Sequence, residues 1–135
     1  MKISSYELTT AEQEGRWFDA LDAHTQQPVT GVQVLVASLR NEKYQHAIER
    51  FAERINGVPG RRQRKISTAE KKNIIRDAVA EYLLLDWKGF ENDDGTVLEP
   101  SLINRRKALE KDKFFEMIYR FAEDEAAFLE EERGN

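Results

Sequence analysis

The sequence predicts an α+β domain in which a small antiparallel β-sheet, a hairpin over about 15–38, packs against three to four α-helices. Three observations carry this. VQVLVAS (32–38) sets Val32, Val34 and Val36 against Gln33, Leu35 and Ala37, an alternation rich in β-branched residues that suits a pleated strand. Beyond it, apolar residues recur at steps of three and four in separate stretches, which places them on one side of a helix. The 135 residues suffice for one hydrophobic core and fall short of two, so 1–135 reads as a single domain.

Residues 1–13 are polar and are expected to be loose. In GRWFDALDA (15–23) the spacing of Trp17, Ala20 and Leu21 also fits a helical face. The turn chemistry of Gln27-Pro28 and Thr30-Gly31 makes 16–22 the antiparallel partner of 32–38 instead. Asn41 is a suitable N-cap, and Tyr44, Ala47, Ile48, Phe51, Ala52 and Ile55 then trace a helix that Asn56-Gly57 and Pro59 stop. A basic loop, GVPGRRQRKI (57–66), follows. Ser67 and Glu70 have capping-box spacing for a second helix, with Ile74, Ile75, Ala78, Val79, Tyr82, Leu83 and Leu85 on its apolar side.

The run DWKGFENDDGTVLEPS (86–101) reads as a shaped connector. Trp87 closes the core at the helix end, and Gly89 lets the chain leave that helix in a left-handed conformation. Asp93-Asp94-Gly95 is a tight turn, with glycine supplying a positive φ. Pro100-Ser101 starts a short helix over 102–110. Asp112 caps a last helix, which carries Phe114, Phe115, Ile118, Phe121, Ala122, Phe128 and Leu129 in one stripe and runs to an acidic end at about 130–135.

Composition removes several classes of function. There is no cysteine, so disulfides and thiolate metal sites are excluded, and a reducing cytoplasm is the expected setting. The opening residues hold no long apolar run, and Tyr82–Leu85 is far too short to span a bilayer, so neither a secretory leader nor a membrane partner is expected. The net charge of −4 gives no global attraction to nucleic acid. The charge is uneven, however. Arg61, Arg62, Arg64, Lys65, Lys71 and Lys72 face a single Glu70 over 61–72, while 123–132 holds six acids and no base. These read as two solvated faces, or as complementary patches for a charged partner or a head-to-tail homo-oligomer.

The acidic connector fails as a calcium loop. Placing Gly95 at the sixth position puts Phe90 at the first and Ser101 at the twelfth, so two of the required oxygen ligands are missing. His24 and His46 belong to no metal-binding spacing. No nucleophile elbow, phosphate loop or dinucleotide fingerprint occurs, so no catalytic, cofactor or metal residue is expected and the chain reads as a non-enzyme. The remaining alternative to protein binding is a nucleic-acid-associated protein using the 61–65 loop. No aromatic lies between Phe51 and Tyr82 to stack on bases.

One ordered series of residues carries a family likeness. It runs Tyr82-Leu83-Leu84-Leu85-Asp86-Trp87-Lys88-Gly89-Phe90, then acids and Gly95, Pro100-Ser101, Asn104, Ala108-Leu109, Phe114-Phe115, Phe121-Ala122 and Phe128. Over about 80–129 this resembles the tail assembly chaperones of long-tailed bacteriophages. Its structural motif is Asp86, Trp87, Gly89 and Gly95. Gly15-Arg16-Trp17, Thr30-Gly31-Val32, Leu35-Val36 and Tyr44–Ala47 are compatible with it, and the basic insert 61–65 departs from it.

The resemblance implies a protein of the infected bacterial cytoplasm that is absent from the finished virion. It would hold the long helical tape measure protein soluble, help recruit tail tube protein, and in many such phages exist also as a longer frameshifted product. A client helix needs an exposed apolar strip with complementary charge. Phe121, Phe128 and Leu129 are the candidates for the strip, and Arg61, Arg62, Arg64 and Lys65 for acidic client segments. The competing reading of Phe128 and Leu129 is that they belong to the core.

Overall fold

The structure is a computed structural model that describes residues 1–56 and 66–133, so Arg61, Arg62, Arg64 and Lys65 lie outside the described residues. In chain order it contains a 3₁₀ turn (Ile3–Tyr6), α1 (Thr10–Glu14), β1 (Arg16–Leu21), β2 (Pro28–Val36), α2 (Glu42–Asn56) and α3 (Thr68–Tyr82). These are followed by β3 (Leu84–Lys88), α4 (Leu102–Leu109), α5 (Asp112–Glu123) and α6 (Glu125–Arg133). The α+β class and the β1–β2 hairpin are as the sequence predicts.

The strands form one antiparallel sheet in the order β1-β2-β3. Phe18 pairs with Val34, and Val34 with Trp87, so these three form a row across the sheet. All three are buried, together with Val36 and Leu84 on the same face. α5 and α6 cover this row. Phe121 stacks on Phe18 at 4.4 Å, Phe128 meets the same ring edge-on at 5.7 Å, and Phe114 meets Trp87 edge-on at 6.3 Å. α3 packs against both α2 and α4. Arg105 ties these layers by donating to the carbonyls of Ala80 (2.9 Å) and Pro100 (2.7 Å).

Four expectations are corrected. First, Leu84–Lys88 is a third strand rather than the end of a helix. α3 ends at Tyr82, and the buried Leu83 and Leu84 turn the chain into the sheet. Gly89 does have a positive φ, +86°, but it leaves a strand and not a helix. Second, residues 10–14 are a packed helix: Thr9 Oγ1 accepts from Glu12 N, Glu12 Oε1 accepts from Thr9 N, and Ala11 and Glu12 are buried. Third, the last helix is two helices. The chain breaks at Asp124, whose carboxylate accepts from Ala127 N at 3.1 Å and starts α6. Fourth, Asp112 is the first residue of α5 and Lys111 is its N-cap, with no side-chain capping bond.

The hairpin also turns earlier than Thr30-Gly31. Asp22 N donates to Gln27 O at 2.9 Å, and the Asp22 carboxylate accepts from His24 N and Thr25 N. Gly31, with φ +81°, lies in β2 opposite the register shift between Asp19 and Leu21.

The two glycines of the Asp-Trp-Lys-Gly connector differ in what they require. A Cβ on Gly89 would collide with the Gly31 carbonyl and stand 3.1 Å from Val32 Cα, whereas a Cβ on Gly95 would meet nothing within 4 Å. Both have positive φ. Gly95→Ala is therefore expected to cost about 1 kcal/mol, the backbone term alone. Gly89→Ala should cost about 3 kcal/mol or more, because backbone must also move. Urea unfolding of the two variants measures the difference.

Candidate functional site

The connector at 86–101 is a structural turn. Glu91 bridges Val97, Leu98 N donates to Phe90 O at 3.0 Å, and Gly95 N donates to Asn92 O at 2.9 Å. The Asp94 carboxylate accepts from Thr96 N (3.0 Å) and Thr96 Oγ1 (2.6 Å), so it is spent on closing the turn. These bonds hold the Asp94 carboxyl below the ordinary carboxylate range, the Thr96 hydroxyl first and its amide second. The Trp87 indole donates to Leu98 O at 2.7 Å, which fastens the connector to the sheet. Among the described residues no group of three or more His, Asp or Glu could hold a metal ion. Among the same residues no helix is long and apolar enough to cross a membrane.

What the connector does build is one wall of an apolar trough. Phe90 emerges just after Gly89, contacts Trp87 and Phe114 edge-on at 5.5 and 5.8 Å, and is only partly buried. Facing it are Ala20 and Leu21 at the end of β1, with Ala23 and Gln26 in the turn. α5 supplies Phe114 and Met117, and Lys111, Asp112 and Lys113 form the mouth. The depression holds about 520 Å³. That is the size of clefts that take ligands or several side chains, about 300–1,000 Å³.

The trough does not stop there. A smaller depression of about 280 Å³ shares Leu21, Lys113 and Met117 with it and extends to Glu116, Arg120 and Phe121. The two together follow α5 from Phe114 to Phe121, about 10 Å of helix at 1.5 Å per residue. Met117 anchors the middle, its Sδ accepting from Leu21 N at 3.3 Å.

Charge is distributed unevenly along this trough. Asp112 is held by Arg76 at 2.9 Å and Lys72 at 3.5 Å. Lys111 and Lys113 form no ion pair with any described residue. The Asp22 carboxyl, in the turn above the trough, is held below its ordinary range mainly by the amides of Thr25 and His24. The Tyr44 phenol lies elsewhere, pushed up by burial and by its bonded neighbour Tyr119.

The residues singled out from the sequence fall into three groups. Phe121 lines the far end of the trough while stacking on Phe18. Phe128 is fully buried and so belongs to the core, because the break at Asp124 turns α6 back onto the sheet. Leu129 is 48% exposed and stands away from both. The sequence reading missed the trough itself. Phe114 was visible as part of a stripe, but Met117 lies one position outside that stripe. Nothing local marks Ala20 or Ala23 as facing it across 90 residues of chain.

The family described as YdaY prophage protein matches residues 39–135, which include α5, Phe90 and the whole connector. No curated protein and no solved structure matches the chain.

Two measurements check this assignment of residues. Phe128→Ala should cost about 3–5 kcal/mol, as for a fully buried ring, while Leu129→Ser should stay within about 0.5 kcal/mol of wild type. Chemical denaturation reads both. The second concerns acid. Asp22 and Asp94 have depressed folded-state pKa values, so the stability they contribute is present above the ordinary carboxylate range and is lost as pH falls through their lowered values. Asp22→Asn with Asp94→Asn should therefore flatten the acid limb of a stability-versus-pH curve, with the variant closest to wild type at the lowest pH.

Proposed function

The chain belongs to the YdaY prophage protein family and is phage-derived; from that premise we propose that it is a non-enzymatic tail assembly chaperone. In this reading it binds the tape measure protein, keeps it soluble in the cytoplasm of the infected bacterium, and helps recruit tail tube subunits without entering the virion. The observation that carries the reading is the trough along α5, apolar between Phe90 and Met117 and continued by a more polar stretch to Phe121. A long amphipathic client has to be held by its apolar face, and a groove of this kind is how helices are commonly received. The residues that carry the resemblance to tail assembly chaperones, about 80–129, also lie within the matched 39–135 and build the α5 side of the trough. Asp86, Trp87, Gly89 and Gly95 then act by setting Phe90 in place.

The test is co-expression with the tape measure protein of its prophage. The reading expects that protein to move from the insoluble to the soluble fraction and to co-elute with this chain on size exclusion. A client that stays insoluble with the chain present, and a purified mixture that elutes as separate species, would overturn it.

A further inference from the structure

Lys111 and Lys113 are placed where a cation is electrostatically unwelcome. They are the N-cap and second residue of α5, beside the positive end of the helix dipole. They flank Asp112 in the chain, and that carboxylate is already held by Arg76 and Lys72. Neither ammonium forms an ion pair with a described residue. Both lysines line the mouth of an apolar trough whose floor is Ala20, Leu21, Phe90, Phe114 and Met117. The fold thus keeps two like charges, without an ion pair among the described residues, beside an apolar depression. Met117 adds adaptability to the floor, since an unbranched thioether repacks around different side chains at low cost.

Resting on the chaperone reading, we infer that this trough selects its client segment by charge as well as by apolarity. Its occupant is an amphipathic helix whose apolar face is bordered by carboxylates, which Lys111 and Lys113 receive. The apolar floor supplies most of the affinity, and the lysines supply the choice among segments and the rate of encounter. At the far end Glu116 and Arg120 are both present, so the charge selection acts at the Phe114 end alone. A long helical client presents many apolar stripes. This device would place the chain at the stripes flanked by acid and leave those flanked by base open.

The probe is a pair of labelled amphipathic helical peptides with the same apolar face, bordered in one by Glu and in the other by Gln, titrated with the full chain at low and moderate salt. The Glu peptide is expected to bind about tenfold more tightly at low salt, with the gap closing as salt rises. Lys111→Glu with Lys113→Glu should abolish or invert the preference. Lys43→Glu with Lys71→Glu, an equal change of net charge elsewhere on the surface, should preserve it. Equal binding of the two peptides by wild type, no measurable binding of either, or a preference lost equally in the Lys43/Lys71 control would each overturn the inference.

Co-elution with the tape measure protein, measured in parallel, keeps the two claims apart. Co-elution without peptide preference removes the charge selection and leaves the chaperone reading. Peptide preference without co-elution supports the charge-selective trough and overturns the chaperone reading on which its client was named.

Discussion

Three consecutive backbone amides leave the central strand in the interior of the protein, and each has to find an acceptor there, since a buried amide left unpaired is costly. Ala37 N donates to Leu83 O, Ser38 N to Glu12 O, and Leu39 N to Ala122 O. The three acceptors belong to the entry of β3, to α1 and to α5. Two residues later the buried Asn41 caps α2 through Tyr44 N at 2.9 Å while its amide donates to Ser38 O at 2.7 Å. One short segment thereby sets the third strand, the N-terminal helix, the C-terminal helices and the start of α2 relative to the sheet. With α5 fixed at Ala122, its other end lies over Trp87, and the row of Phe18, Val34 and Trp87 is closed by phenylalanines. The trough is a consequence of the same placement. Where α5 passes the end of β1 it meets Ala20 and Ala23, whose small side chains cannot fill the space that Phe114 and Met117 leave.

How far the sequence discloses this varies from element to element for physical reasons. The β2 alternation and the stripe of α2 follow directly from side-chain periodicity, and the Ser67 and Ser101 caps form as their spacing suggests, each accepting from the amide three residues on. The third strand is hidden because Leu83, Leu84 and Leu85 continue the apolar stripe of α3 without a break. A continuous apolar run fits a buried strand and a buried helix end equally well. Gly89 compounds this, since a positive φ suits the exit of either element. The split between α5 and α6 is masked in a similar way. Phe121, Ala122 and Phe128 keep helical spacing across Asp124, and only the capping chemistry of that aspartate marks the break. The N-terminal helix did have a visible signal, Thr9 and Glu12 at capping-box spacing, set in a segment whose polarity argued for disorder. The trough was the least legible feature, because its walls come from opposite ends of the chain and no short pattern relates Ala20 to Met117.

The acidic connector illustrates how a conspicuous motif can act at one remove. Its aspartates look like ligands, yet Asp94 closes a turn on Thr96 and Asp86 accepts from the amide of Trp87. What the motif contributes is position. Gly89 lets the backbone pass tightly against Gly31, Trp87 is pinned to Leu98, and Phe90 is thereby presented to solvent beside α5. On the proposed reading, a phage-derived protein built in this way offers another protein an apolar surface with a charged lip.

The most direct measurement of that claim is a methyl and amide NMR titration of the full chain with a soluble segment of the tape measure protein. The account predicts that the methyl signals of Ala20, Ala23 and Met117 shift together, along with the amides of Lys111–Phe114, while the methyls of Ala11, Ala78 and Ala127 stay in place. Shifts confined to those latter residues, or no shift anywhere at saturating segment, would contradict it.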